Sequence, residues 1–149
     1  MMFFTQFSFG QETPESIAES FFNYVQEGMY SKAVDYLVSS NPNLKNDSTI
    51  ITRLAKNLEI AYTRNGAYCG YELIEKDQIS ASYSTYVYFI KYLCNPVRIQ
   101  IDFYKPREKW QVNNVQLIRQ AREQEGRNTQ GKNMQGNNVN RQKSVKKTQ

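Results

Sequence analysis

Apolar residues recur at helical spacing three times in the first half of the chain, then alternate in the second. Ile17, Phe21, Tyr24 and Val25 stand at i, i+4, i+7 and i+8, one stripe of a helix. Thr13-Pro14 supplies an N-cap followed by proline at the first helical position, and Gly28 supplies the stop. A second helix is expected over 31–39, with Ala33, Val34, Leu37 and Val38 apolar, broken by Asn41-Pro42-Asn43. A third is capped by Asp47 or Ser48. It carries Ile50, Ile51, Leu54, Leu58, Ala61 and Tyr62, and stops at Asn65-Gly66.

After Gly66 the period falls to two. Strands are expected over 68–75, 80–93, 97–105 and 110–118. The third alternates Val97, Ile99, Ile101 and Phe103 against Arg98, Gln100, Asp102 and Tyr104. In the fourth the apolar parity changes between Val112 and Val115, which a one-residue bulge at Asn113-Asn114 repairs. Short links through Asn95-Pro96 and 106–109 predict consecutive antiparallel hairpins. Pairing 94 with 97 sets Tyr92 opposite Ile99 and Tyr88 opposite Phe103, and puts Tyr86, Tyr88, Ile90 and Tyr92 on the inner face. The other face of that strand still carries Val87, Phe89 and Leu93, so it needs a second cover.

Composition divides the chain. Residues 121–149 hold seven basic and two acidic residues, so this segment carries the whole net charge of +5, while 1–120 are neutral. The same segment has ten Asn or Gln, no aromatic residue and no proline, which predicts disorder over 120–149. At the other end, MMFFTQFSFG holds four of the eight phenylalanines, with Ser8 and Gly10 small at −3 and −1 before Gln11. That pattern reads as the end of a secretory signal whose basic start is missing, making the protein periplasmic or secreted; otherwise it is cytoplasmic. No apolar run is long enough for a transmembrane helix. The chain has no histidine, which removes His-dependent triads, relays and metal sites. No cofactor or metal is implied.

Three stretches carry a family likeness: GAYCGYELI (66–74), YFIKYLCNPVRIQIDFYKP (88–106) and WQVNNVQLI (110–118). They resemble small exported bacterial proteins of the nuclear transport factor two-like superfamily, through Phe103-Tyr104-Lys105-Pro106, Trp110, Val112, Asn114 and Val115. The resemblance spans about 14–118. It implies an α+β fold of three helices on a curved antiparallel sheet of about four strands over 13–119, a cone with a pocket at its open end. It implies no activity, because that superfamily holds isomerases, dehydratases and non-enzymatic modules alike.

On this fold Phe21, Tyr24, Tyr71, Tyr86, Tyr88, Phe103 and Trp110 are candidates to line a pocket for a small hydrophobic ligand, against the alternative of a filled core. Val87, Phe89 and Leu93 are a candidate homodimer surface, as cones of this kind often pair through the outer sheet. Isomerase-type cones set a carboxylate base opposite tyrosine, but the strand carboxylates Glu72, Glu75, Asp77 and Asp102 all alternate outward. The leading expectation is therefore a non-catalytic binding or assembly module. The alternatives are an isomerase or dehydratase using Tyr and a carboxylate, or attachment to a polyanion through Arg141, Lys143, Lys146 and Lys147. Cys69 is expected opposite about residue 88, roughly 20 Å along the strand from Cys94, so two free thiols are expected.

Overall fold

The computed structural model describes residues 11–118. The segments expected to be a signal remnant (1–10) and a basic tail (120–149) lie outside them, as do the tail residues proposed for a polyanion. Four helices come first: α1 (Pro14–Gln26), α2 (Tyr30–Val38), α3 (Pro42–Lys45) and α4 (Ser48–Asn65). Thr13 caps α1 in a reciprocal pair with Ser16, and Asp47 caps α4 by accepting from the amides of Thr49 and Ile50. Gly28 and Gly66 follow α1 and α4 with φ of +73° and +82°, a region that favours glycine.

One expectation is corrected here. Asn41-Pro42-Asn43 does not merely end the second helix; it starts the short α3. The Asn41 side chain accepts from the amide of Asn43, and Pro42 takes the first helical position. A proline that cannot continue one helix is well suited to begin the next. Asn41 is also buried, and its amide donates to the carbonyl of Val112 at 2.8 Å, which ties this turn to the sheet.

The sheet is an antiparallel meander in the order β1 (Tyr68–Ser80), β2 (Tyr83–Tyr92), β3 (Val97–Tyr104), β4 (Gln111–Ile118). β1 runs five residues past its expected end, because the hairpin turns at 81–82. The β2–β3 register also differs: Ile99 faces Tyr88, not Tyr92, and Ile101 faces Tyr86. The last pair is Ile90 with Val97, so the connection is wider than a tight turn, and Lys91 and Tyr92 pair only with β1. The slip is by four residues, an even number, so every side chain keeps its face. In β4, Asp102 pairs with Asn114 and Phe103 with Val112, which leaves Asn113 as the expected bulge.

One core forms between these layers. α1 contributes Ile17, Phe21, Phe22 and Val25, α2 Val34, Leu37 and Val38, and α4 Leu54 and Leu58. The sheet answers with Tyr86, Tyr88, Ile90, Tyr92, Ile99, Ile101, Phe103 and Val112, all buried. No helix among the described residues is long and apolar enough to cross a membrane.

Candidate functional site

The seven aromatic candidates divide into a packed group and two outliers. Phe21, Tyr86, Tyr88 and Phe103 are buried, and Tyr86 meets Phe103 edge-on with ring centres 5.3 Å apart. Phe22, which the sequence reading did not select, joins the group. It touches Phe21, stacks on Tyr71 at 4.0 Å and meets Tyr88 at 5.1 Å. Tyr24 instead leans on Tyr36 at 5.8 Å, beneath the Lys32 ammonium. Trp110 stands at the start of β4 with the Lys105 ammonium 5.0 Å from its ring. Among the surface candidates, Val87 is buried, Phe89 is half-buried and Leu93 is exposed. Both cysteines are exposed free thiols. Cys69 lies opposite Lys91 and Tyr92 rather than residue 88, which leaves about 8 Å of strand between it and Cys94 instead of ~20 Å.

A carboxylate does meet the inner tyrosines, and it comes from a helix. Glu15 sits in the first turn of α1, where the helix dipole favours an acidic residue. One of its oxygens accepts from the Tyr86 hydroxyl at 2.7 Å and from Lys76 Nζ at 2.7 Å. Lys76 also lies 4.9 Å from the Tyr86 ring. The reading that no carboxylate reaches this face held for the strands alone. The Pro14-Glu15 pair after an N-cap was the signal that could have found it, had helix carboxylates been weighed with those of the strands.

The charge states show what this cluster can do. Partial burial pushes Glu15 upward, but the Lys76 ammonium and the Tyr86 hydroxyl outweigh it and hold the carboxyl at about 2. The same hydrogen bond to Glu15 raises Lys76, with Tyr86 adding to it. Burial raises Tyr86, and its bond to Glu15 raises it further. A general base or acid works best with its pKa near the operating pH. Here all three groups move away from neutrality, so the cluster stays a carboxylate, an ammonium and a neutral phenol. It ties α1 to β1 and β2.

A second carboxylate, Asp102, lies on the outer face as expected, yet it is only 8% exposed. Thr85, on β2, donates to Oδ1 at 2.9 Å and Gln100 at 3.0 Å, while Asn114, on β4, donates to Oδ2 at 3.2 Å. Its neighbours on three sides thus replace the hydrogen bonds that water would give it.

The cavity of interest opens beside Trp110, between the start of α1, the end of α2 and the β3–β4 turn. It measures about 940 Å³. Gln11 and Glu12 line one side, Ser40 the floor turn, and Arg107, Lys109 and Trp110 the other. The rim is tied across: the Gln11 side-chain amide donates to the carbonyl of Glu108, and Ser40 Oγ accepts from the amide of Val112 at 3.3 Å. Tyr36 donates to Glu12 at 3.5 Å. Of the seven predicted pocket residues, this cavity takes Trp110 alone. No cluster of potential metal ligands occurs among the described residues.

No protein-family model matches the sequence, and no curated protein matches it. Among solved structures, an NTF2-like protein of Campylobacter jejuni, named as a candidate transpeptidase, superposes with a TM-score of 0.53 at 20% identity, covering 68% of this chain and 97% of that one. With its element order and its single meandering sheet, the chain has the nuclear transport factor two-like α+β fold.

Proposed function

We propose that the protein is a non-catalytic binding module whose site is the cavity beside Trp110. The observation that carries this reading is a partly enclosed space of about 940 Å³, in the size range of small-molecule sites, with an aromatic ring on its wall and charged groups at its rim. The indole suits an apolar ring, and Arg107 and Lys109, which share the lining with Glu12 and Glu108, suit an acidic group placed on it beside Trp110. Catalysis is disfavoured because the Glu15–Lys76–Tyr86 cluster keeps its resting charges.

The C. jejuni protein carries a transpeptidase name, but acyl transfer needs an activated nucleophile. Among the described residues, the thiol contact is Cys69 Sγ donating to the carbonyl of Ala67 at 3.4 Å, which supplies no base. Export belongs to the same reading, supported by Ser8 and Gly10 at small-residue positions before Gln11.

Trp110 is the only tryptophan, so its fluorescence reports on this wall. Titration with 8-anilinonaphthalene-1-sulfonate, an apolar body with an acidic group, should quench Trp110 saturably. Arg107→Ala with Lys109→Ala should weaken that binding while leaving the melting temperature in place. An unsaturable response, or equal binding by the double variant, would remove the reading.

A further inference from the structure

We propose that the Trp110 cavity selects a zwitterion: a small molecule with an aromatic body, of the aromatic amino acid class, whose carboxylate meets Arg107 and Lys109 while its ammonium meets Glu12. The inference rests on the binding reading above and names the ligand class for the same cavity.

The lining carries charge of both signs. Glu12 and Glu108 share it with Arg107 and Lys109, and all four residues are exposed. The ion pairs among the described residues are Lys56 with Glu59, Lys76 with Glu15 and Arg98 with Glu75, and none of these belongs to the cavity. Two anions and two cations thus surround one space without neutralising each other, which leaves both signs open to a ligand. The segment that bears Glu12 is held on either side: the Gln11 side chain donates to the Glu108 carbonyl, and Thr13 caps α1. Tyr36 donates to Oε1 of Glu12 at 3.5 Å, so Oε2 is left for an ammonium. Opposite it, the planar fork of Arg107 matches a carboxylate and Lys109 adds a point charge.

The mixed signs decide between ligand classes. A ligand with an acidic group alone sets its charge among two carboxylates as well as two cations, and a ligand with an amine alone meets the reverse. A molecule that carries both groups gains on both sides without the like-charge term. The half-buried Trp110 offers a ring for its aromatic body, and about 940 Å³ leaves ample room. Lys105, whose ammonium lies 5.0 Å from that ring, is already engaged there.

A second groove, between the start of α2 and α4, measures about 560 Å³ and also holds lysines and a carboxylate. Its charges are already matched: Lys56 pairs with Glu59 at 2.8 Å, and Lys32 lies against the Tyr24 ring. The Trp110 cavity is the one whose charges await a partner.

The test uses para-nitrophenylalanine, whose ring quenches indole emission, against Trp110 fluorescence at about pH 6, where its free amine and acid are both charged. Four forms are compared: the free amino acid, its N-acetyl acid, its amide and its neutral N-acetyl amide. The free amino acid should bind about fivefold tighter than either singly charged form, the size of one well-placed exposed charge pair. Glu12→Gln should bring it down to the level of the N-acetyl acid, and Arg107→Gln with Lys109→Gln to the level of the amide. The substituted side chains are exposed, so melting temperatures should stay in place. Equal binding by the N-acetyl acid and the free amino acid, or an advantage that survives Glu12→Gln, overturns the zwitterion assignment. If 8-anilinonaphthalene-1-sulfonate titrates Trp110 but none of the four forms does, this assignment falls and the binding reading stands. If no probe titrates Trp110, both fall.

Discussion

Two carboxylates on opposite faces of the same sheet are held in opposite ways. Glu15 reaches the inner face from α1, keeps half its side chain in water and is matched by a full positive charge on Lys76. Asp102 lies on the outer face, is almost wholly buried and meets only neutral donors from Thr85, Gln100 and Asn114. The first arrangement is a charge pair that solvent screens. The second is a hydrogen-bond network around a buried carboxylate, with Thr85 and Gln100 half-buried and Asn114 exposed. An exposed pair contributes little to stability, whereas a buried carboxylate depends on the hydrogen bonds that replace its water. The shorter, more visibly ionic contact is therefore the weaker support.

The largest expected effect follows from that contrast. Asp102→Ala leaves the half-buried Thr85 and Gln100 and the exposed Asn114 without their shared acceptor. We expect a loss of about 1–2 kcal/mol, since the hydrogen bonds to a buried carboxylate are lost but water reaches Asn114 and part of Thr85 and Gln100. For a domain of this size that lowers the melting temperature by roughly 5–10 °C. Thermal unfolding by circular dichroism measures it. A drop of only a degree or two would mean that water already satisfies Thr85, Gln100 and Asn114, and the contrast with Glu15 would collapse.

Asp102 also marks the limit of what alternation can say. Period two placed it outward beside Arg98 and Gln100, and that is where it lies. Burial on an outer face depends on neighbours across strands, Thr85 on one side and Asn114 on the other. Those partners follow from register, which the reading missed between β2 and β3, because Asn95-Pro96 limits the chain without dictating a turn type. The inner faces were legible nonetheless, since an even slip preserves parity: Tyr86, Tyr88, Ile90, Ile99, Ile101 and Phe103 are all buried as expected. The caps at Thr13 and Asp47 and the bulge at Asn113 were legible because each is a local rule. The Glu15 contact and the cavity at Trp110 were not. Both are made by residues far apart in sequence, and only packing brings an α1 residue to β2 or the start of the chain to the β3–β4 turn.

The pH dependence tests the other half of the comparison. Glu15 is held at about 2 when folded, against an ordinary 4.5, so the folded state prefers its ionised form. Its contribution is complete above about pH 4.5 and is lost as pH falls from there through about 2. Because the side chain is half exposed, the contribution is about 1 kcal/mol or less. Glu15→Gln should therefore lie slightly below the wild type at neutral pH and converge with it by about pH 2, as measured by urea unfolding across the range. A gap that persists unchanged to low pH would show that Glu15 acts through packing at the α1 start rather than through its charge.

The smallest effect separates the two faces most cleanly. Lys76→Met removes the ammonium from the Glu15 pair but leaves the Tyr86 hydroxyl to serve the carboxylate, so the loss at low salt should be only a few tenths of a kcal/mol. Raising the ionic strength to 1 M shortens the screening length to about 3 Å and should shrink that small difference further. The Asp102→Ala deficit should not respond in the same way, because its lost partners are neutral. Paired unfolding curves at low and high salt thus separate a contact that depends on charge from one that depends on hydrogen bonds to neutral donors. Equal salt sensitivity in both variants would mean that the outer-face carboxylate interacts chiefly through the field of Arg98 on its own strand, and that burial has been given too large a part.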